Sequence, residues 1–119
     1  SHVISLHVDG RKENKHLCGA TFFGKMKSGA LFINTSRGFV VDSRALANHM
    51  SLDSKATAVL DVHDPEPIPA EYPLLGLPNV ALYPHVACKT QTATTNMGWV
   101  VKDVYAVLRG ETPKFEALI

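Results

Sequence analysis

The sequence has two cysteines in 119 residues, no excess of either charge, and no apolar run of membrane length. Cys18 and Cys88 are isolated thiols without C-x-x-C spacing, which excludes a disulfide framework or a zinc ribbon as the organising device. No metal site is expected. Twelve Lys plus Arg stand against 11 Asp plus Glu, a formal net charge of +1. That balance does not suit the phosphate neutralisation that drives nucleic-acid binding, so no nucleic-acid partner is expected. Nothing approaches the roughly 20 apolar residues of a membrane helix. The opening SHVISLHV has neither a basic segment nor a small-residue cleavage site. The expectation is a cytoplasmic, non-membrane protein with reduced thiols. Asn34-Thr35-Ser36 formally matches an N-glycosylation acceptor, a match that needs a secretory context to matter.

What is present is a globular composition, 45% hydrophobic and 19% charged, with eight Gly and seven Pro. The length fits one domain, and neither a repeat nor a shift in composition marks an internal boundary. Val3 to Val8 reads as a strand, and Ala20 to Lys27 as a short helix with Phe22, Phe23 and Met26 on one face, ended by Ser28-Gly29. Ala30 to Asn34 (ALFIN) reads as a second strand. Asp42 reads as the N-cap of a helix carrying Ala45, Leu46 and Met50. Ala56 to Val62 is a third strand, DPEPIPAEYP a loop, and Val80 to Tyr83 a fourth strand. Thr90 to Leu108 repeats apolar residues at helical spacing and stops at Gly110. Strands that alternate with helices and are apolar nearly throughout predict a parallel sheet covered on both faces. The expected fold is α/β, a partial Rossmann-like, doubly wound parallel sheet of about four strands, with flanking helices and a long C-terminal helix. The first strand would leave an apolar edge unless something covers it.

Open α/β sheets bind ligands beyond the carboxyl ends of their strands. Three loops begin there: Thr35-Ser36-Arg37-Gly38, His63-Asp64-Pro65-Glu66 and Pro84-His85. Neighbouring strands lie about 4.8 Å apart, so an arginine, a glutamate and a histidine could share one site. A guanidinium fork suits a carboxylate, a histidine exchanges protons near neutral pH, and a glutamate can hold the imidazolium. The set suits a small hydroxy or keto acid. Equally, NTSRG could be a cap and turn, DPEP a rigid loop, and His85 a histidine satisfied at a strand end.

VISLHV, MKSGALFINTSRGFVVD, VLDVHDPEP and PLLGLPNVALYPHVA, with a last helix ending LRGE, follow one another in this order. In these motifs, from Val3 to about Arg109, the chain closely resembles the D-isomer-specific 2-hydroxyacid dehydrogenases. The resemblance implies an NAD- or NADP-dependent oxidoreductase in which Arg37 grips the substrate carboxylate, His85 is the general acid or base, and Glu66 pairs with His85. It also implies that Asp61 meets the nicotinamide carboxamide, that Thr35 and Ser36 lie against the cofactor, that His7 lies beside the nucleotide, and that Ala87 lies behind the nicotinamide. Asp61 stands in a nearly apolar strand, where a carboxylate needs partners.

The eight glycines, at 10, 19, 24, 29, 38, 76, 98 and 110, nowhere form G-x-G-x-x-G after a strand. The loop after VISLHV reads DGRK where the family usually has Pro-Leu, Cys88 stands where Gly is common, and His63 replaces a more frequent Phe or Tyr. The expectation is therefore that residues 1–119 are the second, nicotinamide-side half of a cofactor domain, without the Gly-rich half or a substrate domain. Such a chain would bind NAD(P) weakly or not at all and be inactive alone. The alternative is a non-catalytic self-associating or partner-binding module derived from that family. Both readings predict a homodimer that covers the first strand's edge.

Overall fold

The computed structural model describes residues 1–115. They fall into two compact units, Ser1–His85 and a second that begins at Val86, a division that leaves no trace in composition.

The first unit is an α/β sheet. β1 (Val3–Leu6), β2 (Leu31–Asn34), β3 (Thr57–Leu60) and β4 (Val80–Leu82) are all parallel and lie in the order β1-β2-β3-β4. This is the Rossmann-like parallel arrangement expected from the alternation of strands and helices. α1 (Ala20–Phe23) and α2 (Ser43–Leu52) form the β1–β2 and β2–β3 crossovers. The Asp42 carboxylate caps α2, accepting from the backbone N–H groups of Arg44 and Ala45 at 3.0 and 3.1 Å, which satisfies two donors a helix start leaves without intrahelical partners. Leu46 and Met50, one turn apart, then face inward and are fully buried. Phe23 of α1 and Phe32 of β2 meet them, with their rings edge to face at 5.3 Å.

Although the strands are apolar nearly throughout, their burial alternates. Phe32, Asn34, Ala58 and Leu60 are buried, whereas Leu31, Ile33 and Val59 are only partly so. Period-2 side-chain direction assigns the two sets to opposite faces. Among the described residues β1 pairs with β2 alone and its other edge is open, where Val3 is 53% exposed. The expected first helix is shorter than its apolar spacing suggests. It ends at Phe23, and Gly24 to Met26 continue as tight turns before Gly29 adopts φ +75°.

In the second unit, the helix expected over Thr90 to Leu108 is observed as α3 (Gln91–Gly98) and α4 (Val100–Leu108). Trp99 stands between them, and its N–H donates to the Asn96 carbonyl, three residues back. The Thr90 hydroxyl caps α3 through the Ala93 N–H at 3.1 Å. Gly110, at φ +75°, ends α4 and donates to the Val107 carbonyl. The large apolar residues of α4, among them Val100, Val101, Val104 and Leu108, are exposed.

Candidate active site

The register aligns Asn34, Leu60 and Leu82 at the carboxyl edge of the sheet. Three residues past Asn34 comes Arg37, six past Leu60 comes Glu66, and three past Leu82 comes His85. The structure brings Glu66 and His85 into contact: His85 Nδ1 lies 3.2 Å from Glu66 Oε2. A carboxylate only accepts hydrogen bonds, so Nδ1 carries the proton and Nε2 is left as the ring's proton-exchanging atom. Both side chains are partly exposed, at 45% and 39%. Such a pair contributes at most about 1 kcal/mol to stability, and its chief consequence is to fix the ring's orientation and tautomer. His85 has φ +54°, left-handed backbone that non-glycine residues adopt at a cost of about 1–3 kcal/mol. These two residues border a cavity of about 440 Å³ that His63, Ile68, Leu82 and Tyr83 also line.

The Arg37 loop is built by a residue that sequence reasoning treats only as a glycosylation match. Asn34 is 1% exposed. Its Oδ1 accepts from the Ser36 N–H at 3.0 Å and from the Ser36 hydroxyl at 2.9 Å, while its Nδ2 donates to the Arg37 carbonyl at 3.0 Å. Buried with both ends of its carboxamide hydrogen-bonded, Asn34 is not a surface amide in the folded chain. The signal available in the sequence is an amide closing an otherwise apolar strand beside turn residues. Ser36 is buried against Asn34, while Thr35 and Arg37 are exposed. The Arg37 guanidinium donates to the Ser36 carbonyl at 2.7 Å, and its stem passes over Gly10, where an added Cβ would lie 3.5 Å from Arg37 Cγ. The DGRK loop is closed on itself, with Asp9 accepting from Asn14 Nδ2 at 2.7 Å and pairing with Arg11 at 2.8 Å.

Asp61 follows β3 and is 5% exposed; its backbone N–H donates to the Asn34 carbonyl at 3.0 Å. His7 is exposed, with Nε2 2.8 Å from the Ser5 hydroxyl. Ala87 is exposed at the start of the second unit. Gly38 has no room for a side chain, because an added Cβ would collide with the backbone of His63. This glycine serves the close approach of two loops of the chain itself. Among the described residues, no group of three or more His, Cys, Asp or Glu is placed to hold a metal ion, and no helix is long and apolar enough to cross a membrane.

A four-stranded parallel sheet with polar loops at its carboxyl edge is the architecture of Rossmann-like nucleotide-binding domains. Residues 1–87 match the family described as "D-isomer specific 2-hydroxyacid dehydrogenase, NAD binding domain", and the chain belongs to that family. It is 41% identical over 114 residues to a glyoxylate reductase of Thermofilum pendens, a match covering 95% of this chain and 34% of that protein. Among solved structures, a D-lactate dehydrogenase with NAD+ from Lactobacillus jensenii superposes with a TM-score of 0.82 at 32% identity, covering 100% of this chain and 40% of that one. A D-isomer specific 2-hydroxyacid dehydrogenase from Xanthobacter autotrophicus, in complex with NADPH and MES, gives 0.83 at 29% identity, covering 99% and 48%. The chain spans about a third of the length of the curated glyoxylate reductases it matches.

Proposed function

We propose that this chain is the nicotinamide-side half of a dehydrogenase cofactor domain and supplies the proton-transfer residues for interconverting D-2-hydroxy acids and 2-keto acids with NAD(P). The observation that carries the reading is the Glu66–His85 pair at the carboxyl edge of a parallel sheet. In oxidation, His85 Nε2 takes the hydroxyl proton, and the Nδ1–H held by Glu66 stabilises the imidazolium that forms. In reduction, the imidazolium returns that proton to the carbonyl oxygen. Arg37 is exposed at the end of the neighbouring strand's loop; it binds the acid's carboxylate through its two-pronged guanidinium and polarises the reacting carbonyl.

The residues fit one end of a dinucleotide. Asp61 is a buried carboxylate at the strand end, able to accept from a carboxamide N–H. Thr35, Ser36 and His7 complete the first unit's cofactor contacts in this reading, and Ala87 of the second unit is a separate candidate contact. A nicotinamide held there would supply the hydride acceptor for oxidation and the hydride donor for reduction. The pyrophosphate end has no matching cradle in these residues: no G-x-G-x-x-G is present, and the tightly enclosed Gly38 is enclosed by the chain's own backbone. These residues alone therefore bind NAD(P) weakly and turn over little.

The free β1 edge favours a second reading, a self-associating module without catalysis. In both readings the chain forms a homodimer that covers that edge, and sedimentation at micromolar concentration measures it; a monomer counts against this. Calorimetric titration with NADH separates the readings. Saturable binding that Asp61→Ala abolishes supports the dehydrogenase half, whereas no binding at millimolar NADH supports the module.

A further inference from the structure

We propose that His63 is a positioning residue that locks the three loops of the site together and sets the backbone of His85; this rests on the reading of His85 as the proton carrier. His63 Nε2 lies 2.8 Å from the carbonyl oxygen of Tyr83. A carbonyl only accepts, so Nε2 bears the proton and donates, and the neutral ring leaves Nδ1 as a bare acceptor. That Nδ1 is buried and has no hydrogen-bond partner among the described residues. The residue is 8% exposed, and its ring stands edge-on to Tyr72, 5.7 Å between centroids at 84°. A histidine whose one available bond goes to a backbone carbonyl serves that carbonyl.

The carbonyl it holds stands two residues before His85. Tyr83 is fixed at both ends, since its own N–H donates to the Leu60 carbonyl at 2.8 Å. Immediately after it the chain turns through Pro84 into the left-handed conformation of His85. Such a conformation persists only where neighbouring contacts over-determine the backbone. The His63 backbone meanwhile occupies the space above Gly38, next to Arg37, and His63 is three residues ahead of Glu66. One residue thus touches the Arg37 loop with its main chain and the His85 loop with its side chain, while belonging to the Glu66 loop. An aromatic residue without a ring N–H at this position would keep the packing against Tyr72 and lose the hydrogen bond.

The test is imidazole nitrogen NMR on the 15N-labelled chain. His63 is expected as the Nε2–H tautomer, and His85 as the Nδ1–H tautomer held by Glu66. His63→Phe should keep the circular dichroism of the folded chain while the His85 ring signals lose their single tautomer. His63→Gln carries an amide donor close to the Nε2 position and should restore it. An unchanged His85 spectrum in His63→Phe overturns the proposal, as do equal disturbances in both variants, which would mean that packing alone matters. If His63→Phe fails to fold, the tautomer of His63 in the parent chain decides: Nδ1–H rules out the bond to Tyr83. None of these readouts needs turnover, so they stand apart from failure of the dehydrogenase reading.

Discussion

Replacing Asn34 by alanine removes one carboxamide that makes three hydrogen bonds and thereby shapes the loop carrying Arg37. Ser36 is 9% exposed and Asn34 1%, so the two Ser36 donors that lose Oδ1 cannot reach water unless the loop opens. Leaving a buried donor unsatisfied costs about 1–3 kcal/mol. The third partner, the Arg37 carbonyl, belongs to an exposed residue and can turn to solvent, so its loss counts for less than 1 kcal/mol on the same scale. The two donors together come to about 2–6 kcal/mol, and even the lower figure is a large share of the roughly 5–15 kcal/mol that holds a small domain folded. Urea denaturation followed by circular dichroism measures it, as a lowered midpoint at constant slope. Amide exchange at Ser36 should accelerate in the same variant. A loss below about 1 kcal/mol, or protection at Ser36 that does not change, would refute the claim that Asn34 builds this loop.

Gly38→Ala should destabilise by more than about 2 kcal/mol or displace the loop, since its Cβ would collide with main chain rather than a flexible side chain; a neutral effect in the same denaturation assay contradicts the close approach. Cys18 is fully buried, and burial pushes its thiol up to about 11, whereas Cys88 is exposed. A thiol-specific chromogenic reagent at neutral pH should therefore titrate one cysteine rapidly and the second only on unfolding, and two fast equivalents would count against the model of the core. The Asp53 carboxyl is held below its usual range, chiefly by the backbone N–H of Gly29, with further help from those of Lys55 and Ala56. Because its folded value is depressed, the stability it contributes is present above the unfolded value near roughly pH 3.9 and is lost as pH falls through the lower folded one. Asp53→Asn should flatten the acid limb of the stability curve there, and an unchanged limb would show that the bond to Gly29 does not matter.

The strands and the α2 cap are legible in the sequence because each follows from a local rule, apolar runs and a capping Asp; polar residues just past strand ends mark the site's loops, while the Glu66–His85 pairing itself is read from the family resemblance. The asymmetric burial of the sheet is not legible, since strands apolar on both faces look alike whether both faces or only one is buried. The helix over Thr90 to Leu108 is readable, but its interruption at Trp99 rests on one local turn geometry. Asn34 and His63 escape for a common reason. Their roles depend on bonds to main-chain groups, and a sequence does not show where its carbonyls point. The positive φ of His85 is hidden likewise, because nothing in its residue type demands it.

Turnover in a graft bears most directly on the assignment of His85. The 114 aligned residues would replace their counterpart in the Thermofilum pendens glyoxylate reductase, and oxidation of NADH by glyoxylate would be followed with His85 intact and as His85→Gln. The account predicts an active graft whose rate falls by about 10²–10⁴ in His85→Gln, with NADH binding retained. A folded, NADH-binding graft that reduces glyoxylate equally well without His85 would contradict it.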